Sequence, residues 1–331
     1  MRKKNRSHKI LVTGVGGFIG SHLAERLVKD QHEVIGIECF TDYYPRGMKE
    51  KNIEWLKKQP NFKFHEENLL TADFGKILKV SVSASPSRLP ERQLVIFHLA
   101  AQAGVRASWG EIEIYTENNI RATQRLLEWA KDNRIKKFIY ASSSSVYGDT
   151  DDLPMTEGNL PKPVSPYGVT KLAGEHLCYL YSNNYRVPVT ILRYFTVYGP
   201  RQRPDMAFYK FIRAMFEDRE IEIYGDGTQT RDFTYIDDIV AGTISAVDAP
   251  DGEILNIGGG TRTSVKDILD VLENILQKKA KLKYVSVQKG DVKHTAADIT
   301  KARKLLKYNP QGKLEDGLSN EVNWLKSTLT R

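Results

Sequence analysis

Short apolar runs and longer amphipathic stretches alternate along the first two hundred residues of the chain. Runs such as Lys9–Thr13, Glu33–Ile37 and Phe138–Ala141 have the length and composition of buried strands. The segments between the runs carry apolar residues at helical spacing, and the longest covers about Ser165 to Tyr185. Strands that alternate with helices in this way predict an α/β fold with a doubly wound parallel sheet.

The regular alternation ends near Pro200, and shorter strands and helices follow. We therefore expect a smaller α/β lobe that is interwoven with the sheet and binds the substrate. The sheet domain is predicted to comprise residues 9–195 with about 229–257, and the lobe about 196–228 with 258–331. The remaining segments are predicted to be solvent-facing: a basic tail at 1–8, an excursion at 41–59 and a Ser- and Pro-rich loop at 80–92.

Composition limits the class of protein. The 331 residues are 40% hydrophobic and 27% charged, which is ordinary for a globular protein. No apolar stretch approaches the roughly 18 residues that a membrane span needs, and the basic tail lacks the apolar segment of a signal peptide. The two cysteines, Cys39 and Cys178, favour free thiols in a reducing cytoplasm over a disulfide framework.

The net charge of +8 is spread along the chain, because lysines and arginines are scattered among aspartates and glutamates. Nucleic-acid-binding proteins usually gather their basic residues in one patch or stripe. We therefore expect neither a nucleic-acid partner nor a membrane, and nucleic-acid binding stays a weak alternative. A modest positive field equally suits a small diphosphate substrate.

A glycine-rich turn follows the first predicted strand. Gly14, Gly17 and Gly20 have the spacing of a dinucleotide-binding fingerprint, in which backbone N–H groups approach a pyrophosphate at a helix N-terminus. The second strand leads to Glu38, where a carboxylate can bind the adenosine ribose hydroxyls and would repel a 2′-phosphate. This order predicts NAD and disfavours NADP, with an ordinary surface glutamate as the alternative for Glu38. Further cofactor contacts are predicted near the glycine turn, the strand ends and one helix start: Phe18, Ile19, Asn68, Leu69, Leu99, Ala100, Ala101 and Asn119.

Tyr167 and Lys171 lie four residues apart in the longest predicted helix, so their side chains share one face. The lysine ammonium is expected to lower the pKa of the phenol, which would let Tyr167 accept a proton at neutral pH. Upstream, Ser142–Ser145 form a hydroxyl-rich turn after a strand, and a serine there could hold the same substrate oxygen. A Tyr-x-x-x-Lys pair on its own is usually a solvated helix face, and the glycine fingerprint makes the functional interpretation stronger. His98 lies inside an apolar run and is expected to be structural.

Together these motifs resemble the extended short-chain dehydrogenase/reductases, and more narrowly their nucleotide-sugar epimerases. The motifs are the glycine turn, the serine turn, the Tyr-x-x-x-Lys pair and the runs Arg193–Pro200 and Arg231–Asp238. They cover nearly the whole chain except the basic tail and residues 80–92. The resemblance implies tightly bound NAD, a catalytic triad of Ser143, Tyr167 and Lys171, and a homodimer built from the helices near Ile114 and Ser165.

The two residues after Ser143 distinguish subclasses of this family. Related 4,6-dehydratases carry Asp-Glu after the catalytic threonine, and related decarboxylases that form UDP-xylose carry Glu at the second position. This chain has Ser144 and Ser145 there. The resemblance therefore implies that the substrate keeps its carbon skeleton, which favours epimerisation.

The run Thr196–Phe208 resembles the corresponding run of UDP-glucuronate 4-epimerases, whereas UDP-glucose 4-epimerases typically have Asn where Thr196 stands. The resemblance implies that Arg203 pairs bidentately with a hexuronate carboxylate, with hydroxyl contacts from Thr196 and the serine turn. A surface or phosphate-binding role for Arg203 is the alternative. Further substrate contacts are implied for the diphosphate at Arg231, for the base at Phe208 and Tyr224, and for the ribose at Asp291, with Ala207 beside Phe208.

The resemblance thus implies NAD-dependent C4 epimerisation of a UDP-sugar, from UDP-glucuronate to UDP-galacturonate through a 4-keto intermediate, without a metal. Epimerisation of UDP-glucose or UDP-GlcNAc is the first alternative. A UDP-hexuronate decarboxylase, a nucleotide-sugar dehydratase and a dehydrogenase that releases NADH share most of the same motifs. A non-catalytic NAD- or nucleotide-sugar-binding protein is the alternative from another class, and the intact triad argues against it.

Overall fold

The computed structural model describes residues 7–78 and 94–329 of the chain. The predicted basic tail, apart from its last two residues, and the whole predicted loop 80–92 lie outside these ranges.

Strands and helices alternate within the described ranges. The strands are β1 Lys9–Thr13, β2 Glu33–Glu38, β3 Phe62–Glu66, β4 Leu94–His98, β5 Lys137–Ser143, β6 Val189–Tyr194, β7 Thr196–Tyr198, β8 Glu220–Tyr224, β9 Thr230–Arg231, β10 Phe233–Tyr235, β11 Glu253–Ile257, β12 Thr263–Ser264 and β13 Lys281–Val285. The α-helices are α1 Phe18–Lys29, α2 Arg46–Ile53, α3 Phe74–Leu78, α4 Ile112–Tyr115, α5 Ala122–Asp132, α6 Pro166–Tyr185, α7 Ala207–Phe216, α8 Ile236–Ser245, α9 Val265–Leu276, α10 Thr300–Leu306 and α11 Leu314–Leu329. A π-helical segment, Thr116–Arg121, joins α4 to α5, and a 3₁₀ turn, Ser144–Val146, follows β5.

Seven strands form one parallel sheet in the order β11-β6-β5-β4-β1-β2-β3. This arrangement confirms the predicted doubly wound Rossmann fold. β1 lies between β2 and β4, so the strand order reverses between β1 and β4. The loops after these two strands diverge, and ligands of such sheets bind in the crevice that this divergence leaves.

Two hydrophobic clusters cover the two faces of the sheet. Neighbouring residues of β1 point to opposite faces, so Ile10 and Val12 belong to one cluster and Leu11 to the other. A third cluster joins α7, α9 and α11 to β8 and contains Ile212, Ile221 and residues of both later helices. The small strand pairs β7–β10, β8–β13 and β9–β12 lie in the part of the chain after residue 195, where the predicted lobe begins.

The helix predicted near Ile114 differs from a regular α-helix. It begins at Ile112, and a π-helical segment interrupts it before α5. Inside this segment the amide of Asn119 accepts from the Gln102 N–H at 2.7 Å and donates to the Gln102 carbonyl at 3.0 Å. The wider turn therefore accompanies a contact with another part of the chain, which helical periodicity cannot reveal.

Three smaller predictions can be compared directly with the structure. Cys39 and Cys178 are free, as predicted. His98 is buried, and its ring nitrogens lie 2.8 Å from Thr13 Oγ1 and 2.9 Å from Thr123 Oγ1, which confirms its structural role. Among the described residues no helix is both long and apolar enough to cross a membrane.

Candidate active site

A cleft that is open to solvent lies at the carboxyl ends of β1, β2, β4 and β5. Every residue predicted to contact the cofactor lines this cleft except Asn119. The predicted cofactor residues that line it are Gly14, Gly17, Phe18, Ile19, Gly20, Glu38, Asn68, Leu69, Leu99, Ala100, Ala101, Tyr167 and Lys171. Arg203, predicted to bind the substrate, lines the same cleft. The structure therefore brings the glycine turn, the Tyr-Lys pair and one predicted substrate residue to a single place.

The glycine turn brings the start of α1 close to β1 and β4. Gly14 has φ of +71°, and its N–H donates to the Ile37 carbonyl at 2.9 Å. A Cβ at Gly14 would lie 2.9 Å from the backbone of Ala100, and a Cβ at Gly20 would lie 2.2 Å from the Gly14 carbonyl oxygen. Gly17 is the N-cap of α1, and no side chain caps the helix there. The first N–H groups of α1 can therefore bind an anion such as a pyrophosphate.

Glu38 lies beside the glycine turn at the end of β2. One carboxylate oxygen accepts from the N–H groups of Cys39 and Phe40 at 3.0 and 2.9 Å, and the other accepts from Gly16 at 3.2 Å. These contacts hold the carboxylate at the edge of the cleft, and its predicted role at a ribose stays a prediction. Sequence reasoning missed Lys49, which lines the cleft and donates to the Thr41 carbonyl at 2.6 Å.

Asn119 lies outside the lining of the cleft. Its side chain is buried, and besides its two contacts with Gln102 it donates to Thr170 Oγ1 at 3.0 Å. Because its donor and acceptor atoms bind other parts of the protein, its predicted contact with the cofactor stays a prediction. Asn118, its neighbour, lines the cleft instead.

The helix α6 begins where the sequence predicts. Ser165 is its N-cap and accepts from the Gly168 N–H at 3.1 Å, and Pro166 occupies the first turn. Two glycines let the helix approach β5 and the turn that follows it. A Cβ at Gly168 would lie 2.6 Å from the Ser145 carbonyl oxygen of the turn, and a Cβ at Gly174 would clash with the Tyr140 hydroxyl of β5. This close packing turns the face with Tyr167 toward the cleft.

The protonation states of Tyr167 and Lys171 depend mainly on burial. Burial raises the pKa of Tyr167 above its ordinary value of 10, and the charge of Arg203 and a hydrogen bond with Ser143 oppose this shift. The pKa of Tyr167 is therefore not lowered overall as predicted, since desolvation of the phenolate outweighs the opposing groups. Burial also lowers the pKa of Lys171 to about 8, and the charge of Glu175 partly counteracts it.

The predicted serine turn lies next to Tyr167. Ser143 ends β5, and Ser144 and Ser145 open the following 3₁₀ turn. Ser143 Oγ accepts from the Ser145 N–H at 3.2 Å and donates to Ser145 Oγ at 3.2 Å. All three side chains are partly exposed, so the turn can present hydroxyl groups to a bound substrate.

A buried ion pair that sequence reasoning missed lies next to the serine turn. Arg193 of β6 donates through Nε and Nη2 to both carboxylate oxygens of Glu175, at 2.9 and 2.7 Å. The two side chains are 3% and 4% exposed. Ser142 Oγ donates to the same carboxylate. Two features of the sequence could have indicated this pair. Glu175 lies four residues after Lys171, and Arg193 is a charged residue in the apolar run that forms β6.

Arg203, which lines the cleft, forms a second bidentate pair, with Asp205. Nε and Nη2 each lie 2.9 Å from one carboxylate oxygen, and Tyr43 Oη donates to Asp205 Oδ2 at 3.0 Å. Tyr43 and Tyr44 line the cleft, which corrects the prediction that residues 41–59 are a solvent-facing excursion. Sequence reasoning missed Tyr43 and Asp205, and two adjacent tyrosines were the only signal.

Two predicted nucleotide contacts meet at a separate place. Arg106 donates to Asp291 through Nη2 at 2.7 Å, and its guanidinium carbon lies 3.9 Å from the ring centre of Tyr224. Sequence reasoning gave Arg106 no role. Arg231 donates to backbone carbonyls, including that of Val292 at 2.7 Å, so its predicted diphosphate contact stays a prediction.

The remaining predicted substrate residues have different environments. Thr196 begins β7 and is partly exposed, and Ala207 is exposed at the first position of α7. Phe208 is only 1% exposed, and its ring lies 4.6 Å from that of Phe233 in the core of the later helices. The predicted contact of the Phe208 ring with the base stays a prediction.

Comparison with known proteins agrees with this geometry. Residues 10–258 match the model of the NAD-dependent epimerase/dehydratase family. The chain belongs to this family. A relative in Bacillus subtilis, the uncharacterized UDP-glucose epimerase YtcB, is 47% identical over 96% of this chain and 98% of its own length. A UDP-glucuronate 4-epimerase from Thermodesulfobacterium geofontis is 42% identical over 96% of both chains.

A solved structure of another family member is similar over almost the whole fold. It is the UDP-glucuronic acid 4-epimerase of Bacillus cereus in complex with UDP-glucuronic acid and NAD. The TM-score is 0.90 at 47% identity, and the match covers 97% of this chain and 99% of that one. In the present structure, the uncapped start of α1 and the glycines with no room for a Cβ fit the diphosphate of a dinucleotide.

Proposed function

We propose that this protein is an NAD-dependent UDP-sugar 4-epimerase that interconverts UDP-glucuronate and UDP-galacturonate. Relatives that share most of its length are named for this activity or were solved with UDP-glucuronic acid and NAD. The observation that carries the choice of a hexuronate is the position of Arg203, which lines the same cleft as Tyr167. A guanidinium fork matches a carboxylate, and a neutral hexose has no such group.

The cofactor would lie along the glycine turn, with Glu38 at the adenosine ribose and Lys171 at the nicotinamide ribose. When bound, nicotinamide accepts a hydride from the sugar and gives it back, so no external redox partner is needed. In this proposal residues 9–195 with about 229–257 form the NAD-binding domain. Residues of about 196–228 and 258–331 form the nucleotide-sugar lobe.

Tyr167 is proposed to take the proton from the C4 hydroxyl and to return it after the sugar has turned. Burial disfavours the phenolate form of Tyr167, so neighbouring groups must stabilise it. Arg203 and Ser143 do this in the structure, because both act to lower the pKa of Tyr167. Ser143 is also placed to stabilise the sugar oxygen as it changes between hydroxyl and ketone.

Oxidation at C4 creates a ketone β to the C6 carboxylate, and such acids lose CO₂ readily. The loss requires the C5–C6 bond to stand parallel to the π orbitals of the ketone. We infer that Arg203, the serine turn and Thr196 hold the carboxylate so that this bond stays near the carbonyl plane. Ser145 places a hydroxyl, and no carboxylic acid, at the position that assists decarboxylation in related enzymes.

Product analysis by NMR tests the proposal. The wild-type protein and Arg203→Ala are incubated with UDP-glucuronate, and UDP-glucose serves as the neutral control. Loss of a desolvated charge pair should weaken binding of UDP-glucuronate by roughly 2–5 kcal/mol. It should also raise the ratio of UDP-4-keto-pentose to UDP-galacturonate. Equal losses on both substrates would show that Arg203 recognises the diphosphate or supports the fold.

A neutral UDP-sugar is the second candidate substrate, because the B. subtilis relative is named as a UDP-glucose epimerase. The same assay decides between the two, since UDP-galactose formed faster than UDP-galacturonate would favour the neutral sugar. A dehydrated main product would indicate a dehydratase, and a decarboxylated main product would indicate a decarboxylase. Released NADH would indicate a dehydrogenase, and binding without turnover would indicate a non-catalytic protein.

We also propose that two copies of this chain form a homodimer through α4 and α6. Ile112 and Ile114 on α4, and Val169 and Leu180 on α6, are exposed apolar residues on neighbouring helices. An apolar surface of this kind is typical of a site covered by another protein. Light scattering after gel filtration tests this: Leu180→Asp should give a monomer, and Val287→Asp, at an exposed position far along the chain, should not.

A cytoplasmic location is the last part of the proposal. Cys39 and Cys178 are free, and a reducing compartment keeps thiols in that state. Cell fractionation followed by immunodetection checks the location, and recovery in a membrane or secreted fraction would contradict it.

A further inference from the structure

The guanidinium proposed to bind the substrate carboxylate already holds a carboxylate of the protein. Asp205 takes the Nε and Nη2 donors of Arg203 in a bidentate pair, at 2.9 Å each. Nε and one terminal nitrogen form the planar fork with which arginine matches a carboxylate. A hexuronate carboxylate that binds Arg203 in the same way must displace Asp205, and one that binds through Nη1 must lie near a second negative charge.

The environment of this pair suits exchange of partners. The side chains of Arg203 and Asp205 are 22% and 32% exposed, so water can reach both. Tyr43 Oη donates to Asp205 Oδ2 at 3.0 Å, which gives the carboxylate a partner that does not depend on Arg203. A Cβ at Gly104 would lie 2.0 Å from Tyr43 Oη, so the tyrosine is closely packed at that point. Asp205 is therefore held at the edge of the cleft by a second contact.

The proposed reaction needs such an exchange. After oxidation the 4-keto sugar must turn so that its other face receives the hydride, and its carboxylate then leaves its first position. An arginine that loses its carboxylate partner at that moment loses a favourable charge pair, which disfavours the turn. A carboxylate of the protein that replaces the one on the sugar removes this obstacle.

We propose that Asp205 is a positioning residue that pairs with Arg203 whenever the substrate carboxylate leaves it, and so allows the 4-keto sugar to turn. This inference rests on the proposed function, because it requires a substrate with a carboxylate. Tyr43 keeps Asp205 in place during the exchange. Asp205 also competes with the substrate for Arg203, so binding is weaker than the arginine alone would allow.

Asp205→Asn tests the inference, because the amide keeps the shape and an acceptor oxygen but loses the charge. UDP-glucuronate should bind the variant more tightly, by about threefold to tenfold for a partly exposed charge pair. The turnover number should fall by a similar factor, since Arg203 then holds the sugar carboxylate longer. In rapid mixing, the absorbance of reduced nicotinamide should rise as in the wild type and decay more slowly. Calorimetry with UDP-glucose, which has no carboxylate, should show unchanged affinity.

Two further variants separate this role from a structural one. In the Arg203→Ala background, Asp205→Asn should change neither affinity nor rate, because Asp205 acts through Arg203. Tyr43→Phe should shift affinity and turnover in the same directions as Asp205→Asn, but less. Weaker binding of both UDP-sugars to Asp205→Asn, or an equal effect in the Arg203→Ala background, would overturn the inference.

The same measurements distinguish failure of the inference from failure of the proposed function. Wild-type turnover of UDP-glucuronate, combined with unchanged affinity and nicotinamide decay in Asp205→Asn, leaves the function intact and overturns the role of Asp205. A wild-type protein that turns over only neutral UDP-sugars overturns both.

Discussion

Two arginine–carboxylate pairs follow Tyr167 in the sequence, and they have almost the same geometry. In both, Nε and Nη2 donate to the two carboxylate oxygens, at 2.9 and 2.7 Å for Arg193–Glu175 and at 2.9 Å for both contacts of Arg203–Asp205. The first pair is 3% and 4% exposed, and the second is 22% and 32% exposed. The two pairs thus differ in how far they are exposed to solvent, and their hydrogen bonds are nearly the same.

The comparison shows how one type of contact can serve two purposes. A buried pair cannot exchange partners without leaving a charge in a medium of low polarity, so Arg193–Glu175 fixes α6 against β6. A partly exposed pair can open at low cost, because water solvates the separated charges. Arg203–Asp205 is therefore suited to a substrate site. Variants at each pair, and at the residues they serve, test this distinction.

The largest effect on turnover is expected from substitution of Tyr167. Both Arg203 and Asp205 influence the pKa of this tyrosine. Tyr167→Phe removes the proton acceptor, so turnover should fall by about 10²–10⁴-fold or more. Calorimetry should show that NAD and UDP-glucuronate still bind, because the ring remains. Tyr284→Phe, at an exposed tyrosine of β13, is the matched control and should keep the wild-type rate. A Tyr167→Phe protein of normal rate would refute the catalytic assignment.

The next largest effect separates the two ion pairs directly. Glu175→Gln leaves Arg193 buried without its counter-ion, and the free energy of unfolding should fall by roughly 3–5 kcal/mol. Asp205→Asn likewise removes a carboxylate charge, here from the partly exposed pair, and the free energy of unfolding should fall by at most about 1 kcal/mol. Urea unfolding followed by circular dichroism measures both. Similar losses in the two variants would show that burial does not distinguish the pairs.

Sequence reasoning succeeded where a site depends on residues close together in the chain. The strand before Gly14, the helix after it and Glu38 at the end of β2 could be recognised because the fingerprint occupies one βαβ unit. Likewise, Tyr167 and Lys171 share a helix face at a spacing of four residues. The parallel sheet followed from the alternation of strands and helices.

The same reasoning failed where distant segments meet. Tyr43 donates to Asp205 across 162 positions, and Arg106 to Asp291 across 185, and no local pattern specifies either contact. The raised pKa of Tyr167 was missed because it comes from burial, which only the folded structure shows. The clearest successes are therefore in the Rossmann sheet, and many of the failures are in contacts to the later part of the chain.

A pH-dependent effect on stability is expected near the loop that carries Arg203. Glu321 of α11 is buried, and its Oε2 accepts from the Gly199 N–H at 2.8 Å. Its Oε1 has no hydrogen-bond partner within the described residues, and burial raises its pKa from 4.5 to about 8. A raised folded-state pKa stabilises the fold fully below pH 4.5, and this contribution is lost as the pH rises through 8.

Glu321→Gln lacks this titration, so its stability relative to the wild type should rise with pH. The relative gain should approach about 1.4 kcal/mol per pH unit between the unfolded and folded pKa values. Urea unfolding at several pH values measures it. Glu315→Gln, at an exposed position of the same helix, is the control and should give a difference that does not change with pH. A pH-independent difference for Glu321→Gln would contradict the raised pKa.

The smallest effect compares a helix of the catalytic face with a helix of the later region. Ser165 caps α6 by accepting from the Gly168 N–H at 3.1 Å, and Ser264 caps α9 by accepting from Asp267 at 3.1 Å. Replacement of either serine by alanine should cost about 1 kcal/mol of unfolding free energy, since each removes one N-cap. Only the first turn of α6 carries Tyr167, so Ser165→Ala should also reduce turnover, whereas Ser264→Ala should not. Equal turnover in the two variants at equal stability would show that the cap of α6 does not position Tyr167, and that the buried pair at Glu175 fixes this helix without it.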